Sequence, residues 1–275
     1  MTKVALSGAS GGVGRILRPL LVKQGVRLRS AGWPDSPEPL VPDEDVMHGD
    51  LRDAAAVDRL LDGVDVLIHL AGTSVERPLP EIIQNNLVGL EAVYEGARRH
   101  GVKRIVFASS NHVFGMYSVK DKLALDAGFR PDGFYGLSKA WGEALARMYW
   151  DKHGIEGVML RIGSILERPT EFRHLSTWFG YDDVVQCMMR CIETPNVGYL
   201  SVWGVSNNTR SYWTPIGSEA IGFRPVQNSE DHAAEILRQK NPLDPIAQQY
   251  QGGSFVSMDF TPVDQRPTAP RGRNS

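Results

Sequence analysis

Residues 3–14 read Lys-Val-Ala-Leu-Ser-Gly-Ala-Ser-Gly-Gly-Val-Gly, and this stretch decides the fold. Residues 3–7 (KVALS) form a short apolar run that ends at glycine, as a buried strand does. Gly8, Gly11 and Gly14 follow in G-x-x-G-x-x-G spacing, with Ala9, Ser10, Gly12 and Val13 between them. Residues 12–24 then read as a helix with Val13, Ile16, Leu17, Leu20 and Leu21 on one side. Pro19 inside it is expected to kink or shorten the helix. The helix N-terminus offers free N–H groups and the positive end of its dipole, so the turn before it suits a pyrophosphate. Glycines alone often make only a turn. Their place between a strand and a helix, at the start of a βαβ unit, favours the phosphate reading.

Outward from this turn, strand and helix patterns alternate. Strands are expected at 26–31, 46–48, 64–70 (VDVLIHL), 103–109 (KRIVFAS) and 157–162, and helices at 54–61, 81–100 and 135–153. Such a rhythm predicts an α/β fold, a Rossmann-type doubly wound parallel sheet with its ligand site at the carboxyl ends of the strands. Residues 1–164 are read as the dinucleotide-binding Rossmann domain. Residues 165–260 are read as a small C-terminal substrate-covering region integrated with it, with helices at 182–193, 218–221 and 231–239 and one more strand at 199–203. Residues 261–275, rich in Pro and Arg, are read as a flexible tail.

The 275 residues carry a formal net charge of −2. Near neutrality gives no reason to expect a nucleic-acid or anionic-membrane partner. No apolar run approaches the length of a membrane span, and Met1-Thr2-Lys3 leads into no signal-peptide cleavage site, so a cytoplasmic protein is expected. Cys187 and Cys191 stand four apart on an expected helix with no His or Cys at ligand spacing. They read as packing residues, and no metal site is expected.

Further cofactor contacts are expected at the strand ends. Asp50 and Leu51 follow the third strand, near the adenine. Leu70, Ala71 and Gly72 follow the fourth, and Asn86 lies in the next helix. Ser109 and Ile162 complete the set. Taken singly, each has an ordinary structural reading. An acidic residue is expected at the end of strand two to bind the ribose hydroxyls, but the segment runs Ser30-Ala31-Gly32-Trp33-Pro34-Asp35, with Gly32 in its place. NAD is the expected cofactor, with NADP left open.

Tyr135-Gly136-Leu137-Ser138-Lys139 opens a helix and places Tyr135 and Lys139 on one face. A phenol with its ordinary pKa of about 10 is a poor base at neutral pH. A lysine ammonium and a nicotinamide cation beside it favour the phenolate. Tyr135 can then take a proton from a substrate hydroxyl as hydride leaves the carbon. This spacing is common on helices. It gains weight because Ser109-Ser110-Asn111-His112 follows strand five, where a hydroxyl donor is needed. Ser110 is the candidate to orient the substrate oxygen.

The glycine loop, SSNH and YGLSK together resemble the extended short-chain dehydrogenases, the class of the sugar-nucleotide epimerases. The short C-terminal part resembles the compact uronate dehydrogenase branch. That resemblance spans roughly residues 3–258. It is carried by Gly72-Thr73-Ser74-Val75-Glu76, IVFASSNH at 105–112, Arg130-Pro131-Asp132-Gly133, YGLSK, Arg161-Ile162-Gly163-Ser164, LSTWF at 175–179, Val202-Trp203-Gly204 and Gln251-Gly252-Gly253-Ser254-Phe255. The resemblance implies oxidation of the anomeric hydroxyl of galacturonate or glucuronate to an aldarolactone. It implies Tyr135 as base supported by Lys139, and Ser74, Ser110, Asn111, His112 and Ser164 lining the sugar. Arg173 would hold the substrate carboxylate, a task suited to a planar guanidinium. Gly32 departs from the family's strand-two Asp. Other readings stay open: a dehydrogenase of another sugar or sugar acid, an epimerase or dehydratase that recycles its cofactor, and a redox-sensing regulator, which the intact Tyr–Lys pair disfavours. A homo-oligomer paired through the helices at 81–100 and 135–153 is expected by analogy of fold alone.

Overall fold

The computed structural model describes residues 2–213 and 218–266. In chain order its elements are β1 (Val4–Ser7), α1 (Gly12–Lys23), β2 (Leu28–Gly32), β3 (Asp45–His48), α2 (Ala54–Leu61), β4 (Val66–His69), α3 (Leu79–Ile82), α4 (Gly89–His100), β5 (Arg104–Ser110), α5 (Phe134–His153), β6 (Glu156–Ile162), β7 (Ser164–Ile165), α6 (His174–Thr177), β8 (Trp178–Phe179), α7 (Tyr181–Glu193), β9 (Tyr199–Gly204), α8 (Ala233–Ile236) and α9 (Ser254–Ser257). Seven strands form one sheet in the order β3-β2-β1-β4-β5-β6-β9, and each neighbouring pair is parallel. β7 and β8 make a separate two-stranded piece.

Every residue of β1 and β4 is buried, because both faces of the sheet are covered. On one face Leu6 packs with Leu17 and Leu21 of α1 and with Val184, Cys187 and Cys191 of α7. On the other, Ala5 joins Val57 and Leu60 of α2, Val93 and Ala97 of α4, and Leu145 and Tyr149 of α5. β1 feeds β2 on one side and neighbours β4 on the other, so the strand order reverses between β1 and β4. A crevice opens at their carboxyl ends for that reason.

Several expectations shift. Pro19 does not shorten α1, which runs through it to Lys23. The proline is exposed, and there a carbonyl that loses its helical partner can tilt toward water. The helix expected at 81–100 begins at Leu79, with Pro80 in its first turn, where a missing N–H costs no bond. A π-helical stretch, Ile83–Val88, then joins α3 to α4. The strand past residue 165 is real and lies beside β6, in register from Gly157↔Tyr199 to Ile162↔Gly204. Cys187 and Cys191 are free and buried in the core beside α1. Most of the expected tail, residues 267–275, lies outside the described residues.

α5 crosses the sheet at Gly142, where a Cβ would stand 2.5 Å from the Phe107 ring and 3.0 Å from Leu90. In an open helix Gly→Ala gains up to about 1 kcal/mol, whereas overpacking costs about 1–3 kcal/mol. Because Phe107 is itself buried, the clash is expected to win. Gly142→Ala should lower the thermal midpoint by several degrees in a calorimetric scan. An unchanged or higher midpoint would mean that α5 is not seated this closely.

Candidate active site

The chain leaves β1 through Gly8, whose φ of +74° is left-handed. A Cβ there would lie 2.7 Å from the Ala71 nitrogen, so the position demands glycine on two counts. A Cβ on Gly14 would lie 2.2 Å from the Gly8 carbonyl oxygen, which seats the first turn of α1 directly on the loop. α1 starts from Gly11 with no side-chain cap, and its first N–H groups therefore remain available.

The loop borders a cleft of about 660 Å³. Gly8, Ser10, Gly11, Gly12, Val13 and Gly14 form one wall, Asp50 and Leu51 another, and Leu70, Ala71, Gly72 and Ser74 a third. Uncapped helix N–H groups, a cradle that Cβ atoms would fill, and apolar Leu51 and Leu70 beyond it fit a dinucleotide. Asn86 and Ser109 stand behind this wall. The Asn86 amide accepts from Thr73 N (2.7 Å) and donates to Thr73 O (3.0 Å) and to Ser138 Oγ (2.9 Å). Ser109 Oγ donates inward to Glu143 at 2.6 Å. Each is expected as a cofactor residue from the sequence, but its side chain is committed to holding structure.

At the strand-two end the chain folds back over Gly32. A Cβ there would lie 2.3 Å from the Asp35 carbonyl oxygen and 2.6 Å from Ser10 Oγ. No acidic side chain fits in that space. Trp33, Pro34 and Arg52, which sequence reasoning did not assign, line this end instead. Arg52 grips Asp50 through Nε at 3.0 Å and Nη2 at 2.6 Å, and these bonds hold the Asp50 carboxyl below the usual range.

Ser110 ends β5, and its hydroxyl faces the Tyr135 phenol closely enough to lower its pKa. It also accepts from the His112 amide at 3.2 Å. Burial pushes the phenol up to about 12. The Ser110 hydroxyl opposes this shift and the Asp132 charge adds to it. Lys139 Nζ lies 5.7 Å from the Tyr135 ring centroid and 4.9 Å from that of Phe107. Burial alone pulls its ammonium down to about 8. The N-terminus of α5 is closed by Glu76, which accepts from Phe134 N and Tyr135 N, each at 2.9 Å. A carboxylate there satisfies two orphan donors and meets the positive end of the helix dipole. It also pins the backbone of Tyr135 itself.

Arg173 sits beside the same cluster. With its amide assigned in the orientation that satisfies both neighbours, Asn111 donates to Ile162 O (3.0 Å) and accepts from Arg173 Nη2 (2.6 Å), while Arg173 Nε donates to Gln251 O (2.9 Å). Among the described residues the guanidinium has no carboxylate partner. Burial lowers its pKa. Ser164 Oγ pairs with Thr177 Oγ1 at 2.9 Å. Ser74 lies on the cleft wall, two residues before Glu76. The structure thus gathers Ser110, Asn111, Tyr135, Lys139 and Arg173. Sequence reasoning assigned no role to Glu76, Asp132 or Phe255, although all three lie in stretches quoted for the resemblance.

A Rossmann crevice that leads to a buried Tyr–Lys pair and a serine at the end of the fifth strand defines a dinucleotide-dependent short-chain dehydrogenase or epimerase. Residues 4–166 match the model of the NAD dependent epimerase/dehydratase family. The uronate dehydrogenase of Pseudomonas syringae pv. tomato is 41% identical over 256 residues, 93% of each chain. A variant of the Agrobacterium tumefaciens uronate dehydrogenase, complexed with NAD, superposes with a TM-score of 0.89 at 41% identity, over 94% of this chain and 97% of that one. The glucuronic acid dehydrogenase of Chromohalobacter salexigens gives a TM-score of 0.88 at 40% identity, over 93% and 97%. The chain belongs to the NAD dependent epimerase/dehydratase family, in the branch of the uronate dehydrogenases.

Lys139 carries a testable energetic signature. Its folded pKa of about 8 lies below the ordinary 10.5. Between those values the unfolded chain holds a proton that the folded chain releases, so stability rises with pH across that window. Below it the whole burial cost is present. Lys139→Met is therefore expected to raise the thermal midpoint at neutral pH, with the gain shrinking toward pH 10.5, while turnover is lost. A lower midpoint would mean that the ammonium is well compensated in the fold.

Proposed function

We propose that the protein oxidises the anomeric hydroxyl of a hexuronate, galacturonate or glucuronate, to an aldarolactone with NAD. One observation carries this reading. Arg173 is anchored on Asn111, the neighbour of Ser110, so a cation without a carboxylate partner and a buried phenol serve one site. With Nε on Gln251 and one Nη2 hydrogen on Asn111, the guanidinium keeps donors free for a bidentate carboxylate. NAD, when bound, supplies the hydride acceptor and a positive charge that favours the Tyr135 phenolate. Tyr135 takes the proton of the anomeric hydroxyl, and Ser110 orients that oxygen. The Lys139 ammonium stabilises the phenolate. Ser74, His112 and Ser164 line the sugar, and residues 165–260 cover it. Gly8, Ser10, Gly11, Gly12, Val13 and Gly14 hold the pyrophosphate, and Asp50 and Leu51 flank the adenine.

A homo-oligomer and a cytoplasmic location belong to the same reading. No helix among the described residues is long and apolar enough to cross a membrane. On α5 a stripe of Phe134, Leu137, Trp141, Ala144 and Met148 runs at helical spacing. Phe134, Leu137 and Met148 are each more than 40% exposed. Leu79, Ile83 and Val88 add exposed apolar surface on the α3–α4 stretch. Apolar stripes on two helices suit a second copy packed through both.

Purified protein is expected to reduce NAD when given galacturonate or glucuronate, followed by absorbance of the reduced nicotinamide. Tyr135→Phe should lower turnover by about 10²–10⁴-fold with NAD affinity nearly intact. Inertness toward every hexuronate, or an undiminished Tyr135→Phe rate, would defeat the reading. For the assembly, Leu137→Glu combined with Met148→Glu should give a monomer by light scattering where the wild type is larger. A monomeric wild type would remove the oligomer.

A further inference from the structure

The segment Arg130-Pro131-Asp132-Gly133 has no part in the chemistry above, yet much of the site is built around one of its side chains. The Asp132 carboxylate is fully buried. A Cβ on Gly115 would lie 1.8 Å from its Oδ2, one on Gly252 1.9 Å from the same atom, and one on Gly136 3.1 Å from Oδ1. Two separate segments, at Gly115 and Gly252, thus omit a side chain to make room for this carboxylate, while Gly136 chiefly makes room for the His112 carbonyl. Its Oδ2 lies 2.6 Å from His112 Nδ1, while Oδ1 has no hydrogen-bond partner. The His112 ring stacks on Phe255, with centroids 4.1 Å apart and 22° between planes, and meets the Tyr135 ring edge-on at 5.7 Å. Among the described residues Nε2 has no hydrogen-bond partner.

A buried carboxylate is costly unless it is paired and hydrogen-bonded, and His112 is the group that pairs with this one. Which imidazole nitrogen carries the proton is set by the bond the other one makes. Here the only partner is acceptor-only and it faces Nδ1. We propose that Asp132 is a positioning residue that holds His112 in the Nδ1–H tautomer, so that Nε2 is presented as a hydrogen-bond acceptor to a hydroxyl of the bound sugar. The inference rests on the hexuronate reading of the site. Phe255 and Tyr135 fix the plane of the ring and Asp132 fixes its proton. Nε2 then selects a group that donates at that point, a free hydroxyl, and disfavours an ether or a deoxy carbon there.

The first measurement uses the wild-type protein. At about pH 8, ¹⁵N NMR of His112 is expected to show a protonated Nδ1 and a bare Nε2. A proton on Nε2, alone or with Nδ1, would overturn the proposal. The second uses variants. Asp132→Ala should raise KM for the hexuronate about tenfold or more, a loss of about one full hydrogen bond, with a smaller change in kcat and unchanged NAD affinity. Asp132→Asn, whose amide oxygen can accept the same bond, should recover most of that loss. An Asp132→Ala protein that binds NAD normally and keeps its KM would overturn the proposal. If Asp132→Ala does not fold, the wild-type spectrum decides. A wild type that oxidises no hexuronate would defeat the substrate reading, while the spectrum would still decide the tautomer.

Discussion

The ion pair between Glu143 of α5 and Arg161 of β6 ties together the parts on which the site depends. Arg161 Nε and Nη2 meet the two carboxylate oxygens at 3.0 and 2.7 Å, and both side chains are buried. Ser109 of β5 donates to the same carboxylate. The guanidinium lies 4.5 Å from the Phe114 ring centroid and 5.4 Å from that of Trp203. One charged pair thereby couples α5, the fifth and sixth strands, and the turn after β5. Removing one partner of such a pair leaves a buried charge and typically costs about 3–5 kcal/mol. Tyr135 and Lys139 are carried on the same helix, and Ser110 follows the serine that binds the pair. The relative placement of Ser110, Tyr135 and Lys139 is therefore supported by a contact made behind them.

Around this frame the site holds groups the fold alone would reject. The phenol is pushed up and the ammonium pulled down, both chiefly by burial. The phenol keeps its proton until a positive charge arrives in the cleft, whereas the ammonium is already charged at neutral pH and bears the cost of burial. Low dielectric makes such charges act strongly on one another. The strain is offset elsewhere by Glu76 on the α5 N-terminus, by the Asn86 link from Thr73 to Ser138, and by the cores on both sheet faces.

Gly32 shows how one backbone position redirects a site. Where an acid is expected to reach the ribose, the returning chain brings the Asp35 carbonyl and Ser10 hydroxyl into the space of a side chain. Trp33 and Arg52 line that end of the cleft, and Asp50, the acid on the cleft wall, is held by Arg52. The sequence registers the missing acid but not what replaces it, because the replacement comes from a fold-back of the loop.

Local physics made the Rossmann core legible. Apolar runs of strand length, glycines at a strand-to-helix turn and a Tyr–Lys spacing on one helical face are properties of neighbouring residues, and sequence shows neighbours directly. Element ends were less legible: the π-helical stretch before α4 and the passage of α1 through Pro19 depend on what packs around them. The distant contacts were not legible at all. Glu76 caps a helix 58 residues away, Arg173 reaches Gln251 over 78, and the Asp132 carboxylate draws space from Gly115 and Gly252. A lone Glu, Arg or Asp reads as surface charge, since its meaning lies in a partner that only chain folding brings near. The sequence alone therefore determined the class of fold and the placing of Tyr135 and Lys139 on one helical face, which local spacing encodes. Tertiary structure decided which of the remaining polar residues enter the site and which are spent on holding it, because long-range packing sets burial and hydrogen-bond partners.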